Sequence, residues 1–236
     1  MKEPRKIGIL GGMGPEATVL LQQKLMAAVA ADDDADHIPL LIDMNPQVPS
    51  RIAHLIEGTG RNPGPTLAQM SQRLQAGGAE ALAMPCNTAH HYASYVTSAV
   101  DIPFLDMVDL SVKRAAETND PGTQIGMLAS PAVRRTQLFE KALEACGLST
   151  LWPEDDDTPL AAIRSIKKHG PTEDACDTLR AISADLAARG ATTQFVACSE
   201  FSLIADCLAA GVQVIDTVDV LTDAIVAFQQ PRPEGS

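Results

Sequence analysis

The chain has 236 residues, enough for one large hydrophobic core or two smaller ones. Its formal net charge of −12, with Lys and Arg scattered rather than massed, excludes the basic face of a nucleic-acid binder. Hydrophobic residues make up 45% and aromatics 3%; such Ala, Leu, Val and Ile content is usual where strands are covered by helices on both faces, and no apolar run is long enough to cross a membrane.

In chain order, a basic start at Lys2–Lys6 leads into Lys6–Gly12 (KIGILGG), which predicts a short buried strand ending in glycines. Broken by Gly11, Gly12 and Gly14, this run reads poorly as a signal peptide. Pro15 suits the first turn of a helix that Glu16–Ala31 continues. Pro39–Met44 predicts a second strand and Asn45–Arg61 a polar, turn-rich stretch. Pro65–Ala76 predicts a helix stopped by Gly77 and Gly78. Glu80–Pro85 predicts a third strand with a helix from Asn87, and Ile102–Met107 a fourth strand. The alternation points to a parallel α/β architecture.

Then the order restarts. Gln124–Ser130 (QIGMLAS) echoes KIGILGG. Thr193–Ser199 (TQFVACS) echoes ALAMPCN, with a cysteine just past the strand in both. Val212–Val220 (VQVIDTVDV) echoes Ile102–Leu110 (IPFLDMVDL), and both hold Asp-x-Val-Asp. Three echoes in one order predict an internal duplication. The expected fold is two similar Rossmann-like α/β domains with parallel sheets related by a pseudo-twofold axis. The first is built from residues 1–109 plus 211–236 and the second from 110–210. Glu154–Asp157 predicts a solvated acidic loop, and the tail 231–236 predicts disorder.

In a parallel sheet, ligands bind beyond the carboxyl ends of the strands. That edge holds Gly11–Gly14, Met44–Arg51, Cys86–Thr88, Ser130 and Cys198–Glu200. Cys86 stands between a strand end and a helix start, where N–H groups and the helix dipole should lower its thiol pKa below the usual ~8.5, and Cys198 holds the same position in the second half. Small environmental shifts can make one a thiolate while the other stays protonated. With the halves related by a twofold axis, the thiols face each other across a cleft. Stereoinversion needs that geometry: one group removes a proton from one face of a carbon, and another delivers one to the opposite face.

The five cysteines lack Cys-x-x-Cys spacing, so free thiols in a reducing, cytoplasmic compartment are expected. Cys146, Cys176 and Cys207 fall in helical patterns and read as buried packing residues. His90 and His91 are adjacent, point in different directions and lack a third ligand; they read as packing or capping residues, and no metal is expected. Gly12-x-Gly14-x-x-Ala17 after a strand also fits a dinucleotide fingerprint, with Asp43 as its acidic partner. That reading leaves both cysteines unexplained.

Gly11-Gly12-Met13-Gly14-Pro15-Glu16-Ala17-Thr18, Pro85-Cys86-Asn87-Thr88-Ala89-His90-His91 and Cys198-Ser199-Glu200 resemble the aspartate/glutamate racemase family, most of all its aspartate racemase branch. The resemblance runs over nearly the whole chain. It implies an active site in the cleft between two similar α/β domains, a homodimer, and an amino-acid substrate, aspartate or glutamate. It also implies racemisation by two cysteines with no cofactor, neither pyridoxal phosphate nor metal. Cys86 and Cys198 are then the two catalytic bases, each serving one enantiomer. Asn87, Thr88 and Ser199 would hold the α-carboxylate and amine. Arg51 matches the family arginine for the side-chain carboxylate, which a guanidinium grips bidentately. Lys167 or Lys168 would play a similar part from the second half, with Lys167 the better match. Met13, Ser130 and Glu200, on the same edge, complete the substrate-binding set.

The overall negative charge opposes an anionic substrate, so these few cations must supply local positive potential. Ser199 stands where the family commonly has Thr, and Ala129-Ser130-Pro131-Ala132-Val133 replaces its Thr-rich, Gly-containing turn. A rival reading in the same superfamily is an isomerase or decarboxylase of a small dicarboxylic acid, which Arg51 would serve equally well.

Overall fold

The computed structural model describes residues 4–229; the tail 231–236, with its predicted disorder, lies outside the described residues. The apolar runs of the first half become the strands β1 (Ile7–Gly11), β2 (Leu40–Met44), β3 (Ala81–Ala83) and β4 (Phe104–Leu105). Those of the second half become β5 (Gln124–Ala129), β6 (Ser149–Leu151), β7 (Thr193–Ala197) and β8 (Gln213–Asp216). All pairings are parallel. The sheets run β2-β1-β3-β4 and β6-β5-β7-β8, one order used twice, so the echoes in the sequence are a repeat of topology. β6 has no counterpart among the predicted strands: its three residues are half-buried and lack the apolar run of a central strand.

Helices fill the connections: α1 (Pro15–Ala28), α2 (Arg51–Leu55), α3 (Gly64–Ala76), α4 (Ala93–Thr97) and α5 (Met107–Thr118) in the first half. In the second half come α6 (Pro131–Arg135), α7 (Glu140–Ala145), α8 (Asp157–His169), α9 (Glu173–Ala188), α10 (Ser199–Ser202) and α11 (Thr217–Gln229). The helix expected from Asn87 begins as a 3-10 turn, Asn87–Tyr92. The acidic stretch 154–157 is exposed, and its last residue opens α8.

Side-chain alternation along the strands sorts the cores. Ile7, Ile9, Ala81 and Ala83 face Leu21 and Leu25 of α1 and Val218, Leu221 and Ile225 of α11. Leu10, Leu82 and Met84 face Leu67, Met70 and Leu74 of α3. In the second sheet Ile125, Met127 and Phe195 face Val112 and Ala115 of α5, while Leu128 and Val196 face α8 and α9. The last helix of each half therefore packs mainly against the other half's sheet. β8, by contrast, stays paired with β7.

The repeated Asp-x-Val-Asp is a capping device. The Asp106 carboxylate accepts from the N–H groups of Val108 (2.9 Å) and Asp109 (3.2 Å). Asp216 Oδ1 accepts from the N–H of Val218 and the Ser202 hydroxyl, both at 2.8 Å, while its Oδ2 is buried without a partner. Burial pushes the Asp216 carboxyl up to about 6 from 3.8. A carboxylate raised on folding destabilises as it ionises, so this group's penalty is absent below pH 3.8 and grows as pH rises through about 6. Asp216→Asn keeps an acceptor for Ser202 and Val218 and removes the charge. Its thermal midpoint should exceed the wild type's above about pH 7 and converge with it below about pH 4. Lower stability of the variant above about pH 7, where the wild-type carboxyl is ionised, would show that the ionised carboxylate is required.

Two cysteine expectations are overturned. Cys176 of α9 and Cys207, in the 3-10 turn Ala205–Cys207, form a disulfide rather than remaining free packing thiols, with Cα atoms 5.6 Å apart. The turn after α10 folds back onto the α9 layer, which brings together residues separated by 31 positions. Cys146 is exposed rather than buried: the short α7 turns Leu143 inward and ends at Cys146 on the surface.

Candidate active site

The carboxyl ends of β1, β3, β5 and β7 converge on a cleft of about 670 Å³. β1 leaves its sheet through glycines for a steric reason. Gly12 has φ +91°, and a Cβ there would sit 2.4 Å from the Asn45 carbonyl carbon. The Gly12 N–H is taken by Thr18 Oγ1 at 3.0 Å. This crossing brings Met13 to the cleft wall, where its carbonyl accepts from Arg51 Nη2 at 3.2 Å. Arg51 Nη1 donates to the Pro49 carbonyl at 3.3 Å.

Cys86 and Cys198 have closely similar backbones: φ −152°, ψ 103° and φ −144°, ψ 122°. Each caps the helical turn after its strand, each is 6% exposed, and both line the cleft. Behind Cys86, His90 Nε2 accepts from the Met107 N–H at 3.1 Å, which puts the ring proton on Nδ1, and Nδ1 donates to the Cys86 carbonyl at 2.9 Å. Burial pushes the His90 pKa down and keeps the ring neutral. The equivalent residue of the second half, Ser202, bonds Asp216 and reaches the Cys198 carbonyl at 3.5 Å. Each half thus ties its cysteine turn to the start of the next helix.

Cys198 Sγ donates to Glu200 Oε2 at 3.1 Å, and Glu200 Oε1 is ion-paired with Lys167. Burial first, then the Glu200 charge, raises the Cys198 thiol well above its usual range. The dipole of α10, four residues long, is outweighed. For Lys167, burial pulls the pKa down, but the Glu200 charge and hydrogen bond overcome it and the amine stays charged. Glu200→Gln removes one of the two causes that hold the thiol up while Lys167 remains. Site-resolved alkylation of Cys198 near neutral pH should then run faster than in the wild type. An unchanged or slower rate would refute this account of the thiol.

Of the residues singled out in the sequence, Met13, Arg51, Cys86, Thr88, Ser130, Lys167, Cys198 and Glu200 line the cleft. Thr88 and Ser130 join the halves through a 3.2 Å hydroxyl–hydroxyl bond. Lys167, not Lys168, faces inward; Lys168 lies on the outer groove of α8 beside Asp157 and His169. Asn87 and Ser199 are buried behind the wall, with Asn87 Nδ2 donating to Thr217 Oγ1 at 2.9 Å. Arg164 and Glu57 line the cleft as an ion pair at 3.1 Å and were not anticipated. Arg164 was legible as the residue one turn before Lys167 on α8, whereas Glu57 carries no local signal. The three cleft cations differ: Lys167 pairs with Glu200 and Arg164 with Glu57, while Arg51 has no ion pair among the described residues.

The dinucleotide alternative fares badly. Asp43 is taken by Arg73, at 3.0 and 2.6 Å, and the glycine turn serves the cysteine cleft. No helix among the described residues is long and apolar enough to cross a membrane.

A duplicated parallel α/β fold with a strand-end cysteine from each half on one cleft defines a class of protein. The model of the Asp/Glu/hydantoin racemase family matches residues 10–225, and the chain belongs to that family of isomerases. It is 23% identical over 229 residues to the broad-specificity amino-acid racemase RacX of Bacillus subtilis (strain 168), over 94% of this chain and 96% of that one. Among solved structures it resembles the aspartate racemase of Picrophilus torridus, with a TM-score of 0.84 and 25% identity over 94% of this chain and 93% of that one. It shares its fold with the glutamate racemase of Francisella tularensis subsp. tularensis SCHU S4, solved with D-glutamate, with a TM-score of 0.64 and 16% identity over 96% and 81% of the two chains.

Proposed function

We propose that the protein racemises an acidic amino acid, with aspartate the leading substrate, by two cysteines acting as opposed bases without pyridoxal phosphate or metal. The observation that carries this reading is the pair of buried thiols, one from each half, in matching backbone conformations on one cleft. Arg51 supports the acidic substrate, because it is the cleft cation without a carboxylate partner among the described residues. A substrate carboxylate would complete it bidentately, and Lys167 adds a second positive charge.

Cys198 rests as the thiol, held protonated by burial and by Glu200. In the direction that starts from this state, Cys86 as thiolate takes the α-proton. The C–H electron pair moves onto the α-carbon and its carboxylate, where the nearby cations stabilise the growing charge. Cys198 then delivers its proton to the opposite face, leaving the inverted amino acid, a Cys86 thiol and a Cys198 thiolate. The reverse turnover restores the starting state. Thr88 and Ser130 supply hydroxyls for the α-carboxylate and amine, with Met13 and Glu200 closing the pocket around them. Asn87 and Ser199 act from behind the cysteines, holding the two turns in register. Closure of the cleft excludes water during the transfer. Homodimeric assembly belongs to the same proposal, and light scattering tests it.

The deciding experiment is incubation of the reduced protein with L-aspartate in heavy water without added cofactor, following α-deuterium and chirality together. Deuterated D-aspartate is the expected product. Absence of exchange with aspartate, together with exchange on another amino acid, would reassign the substrate. Turnover of a dicarboxylic acid without inversion would favour the isomerase or decarboxylase reading.

A further inference from the structure

Helix α2 and the turn after it, residues 50–60, form a strap at the cleft. Arg51 occupies its first helical position and Glu57 lies just past its end, and both line the cleft. A helix of five residues does not sustain itself, because nucleation costs more than one turn returns. What the strap is bonded to therefore decides where it sits. On its own side, Ser50 accepts from the Ala53 N–H at 3.2 Å, Arg51 reaches the Met13 carbonyl, and His54 Nδ1 lies 2.6 Å from the Tyr92 hydroxyl.

The other end of the helix is finished by the opposite half. The carbonyls of Ile52 and Ala53 are taken by the N–H groups of Ile56, Glu57, Thr59 and Gly60. Those of Leu55 and Ile56 receive Arg135 Nη1 at 3.3 and 3.0 Å. Arg135 ends α6, the helix that follows Ser130, and does not line the cleft. A cation at the last carbonyls of a helix satisfies orphan acceptors and complements the helix dipole. One turn along the strap, Arg164 of α8 pairs with Glu57.

We propose that Arg135, with Arg164 beside it, is a positioning residue: by capping α2 from across the cleft, it holds Arg51 where the substrate carboxylate binds and couples closure of the cleft to formation of that site. The proposal rests on the reading of Arg51 given above. Both cross-cleft contacts are exposed and individually weak. They release readily to admit substrate, whereas the strap's own-side bonds travel with the first half. Opening frees the last carbonyls of α2, loosens the strap and removes Arg51 from its place; closing restores all three.

The test uses Arg135→Ala, Arg135→Lys and Glu57→Gln in the full chain. Amide hydrogen exchange over residues 56–60 should rise roughly tenfold in Arg135→Ala, the scale of losing one charge-assisted hydrogen-bond pair. KM for the acidic amino acid should rise by a similar factor with kcat largely kept. Lysine still donates to one of the two carbonyls, so Arg135→Lys should recover part of both effects. Glu57→Gln should loosen the strap less than Arg135→Ala. Unchanged exchange in Arg135→Ala would overturn the proposal, as would faster exchange with KM unmoved, since the strap would then loosen without disturbing Arg51. If the wild type racemised no acidic amino acid, the substrate reading would fall by itself, and exchange over 56–60 would still decide whether Arg135 holds the strap.

Discussion

Replacing either Cys86 or Cys198 by alanine is expected to lower racemisation by about a thousandfold or more, the scale of losing a positioned proton-transfer group. The two variants should differ in a way that mere damage to the fold would not produce. Each keeps one cysteine, and so one face of the α-carbon. Each should therefore retain at most a slow wash-out of α-deuterium from a single enantiomer, and the two variants should act on opposite enantiomers. Both cysteines are buried at strand ends in nearly the same backbone conformation, so truncation of either leaves the other's turn intact. Near wild-type racemisation by Cys198→Ala would end the two-base scheme. Wash-out from the same enantiomer in both variants would place the two thiols on one face.

The second large effect concerns substrate choice. Arg51→Ala should lower kcat/KM for aspartate by about one to two orders of magnitude, the range for a charge-assisted bond to a carboxylate. An amino acid with a small neutral side chain should be affected far less. Arg51 is already oriented, its two Nη groups resting on the carbonyls of Met13 and Pro49, and no protein carboxylate competes for it among the described residues. Equal losses for acidic and neutral substrates would show that Arg51 shapes the strap rather than reading the side chain. Unchanged aspartate kinetics would remove it from the site.

The sequence by itself determined the parallel α/β class, the duplication, and the two cysteines at equivalent strand ends. Each of these rests on local pattern: apolar runs closed by glycine or by a cysteine turn, and Asp-x-Val-Asp at two strand–helix junctions. The Gly12 crossing was legible for the same reason, since its positive φ is a local demand.

Only the tertiary structure decided the rest. Lys167 and Lys168 are neighbours in sequence but about 100° apart around α8, and which one meets the cleft depends on how Ile163 and Ile166 seat that helix. The Cys198 thiol pKa lies well above its usual range, because burial and Glu200 outweigh a one-turn helix. Cys176 meets Cys207, Glu57 meets Arg164 and Arg135 caps α2 across 31, 107 and 79–80 positions of chain. No periodicity of two or 3.6 residues encodes such pairs. They exist because the chain after α10 folds back onto α9 and because the two halves meet at the cleft, which brings their surface loops within bonding distance, and that closeness is a property of packing rather than of sequence spacing.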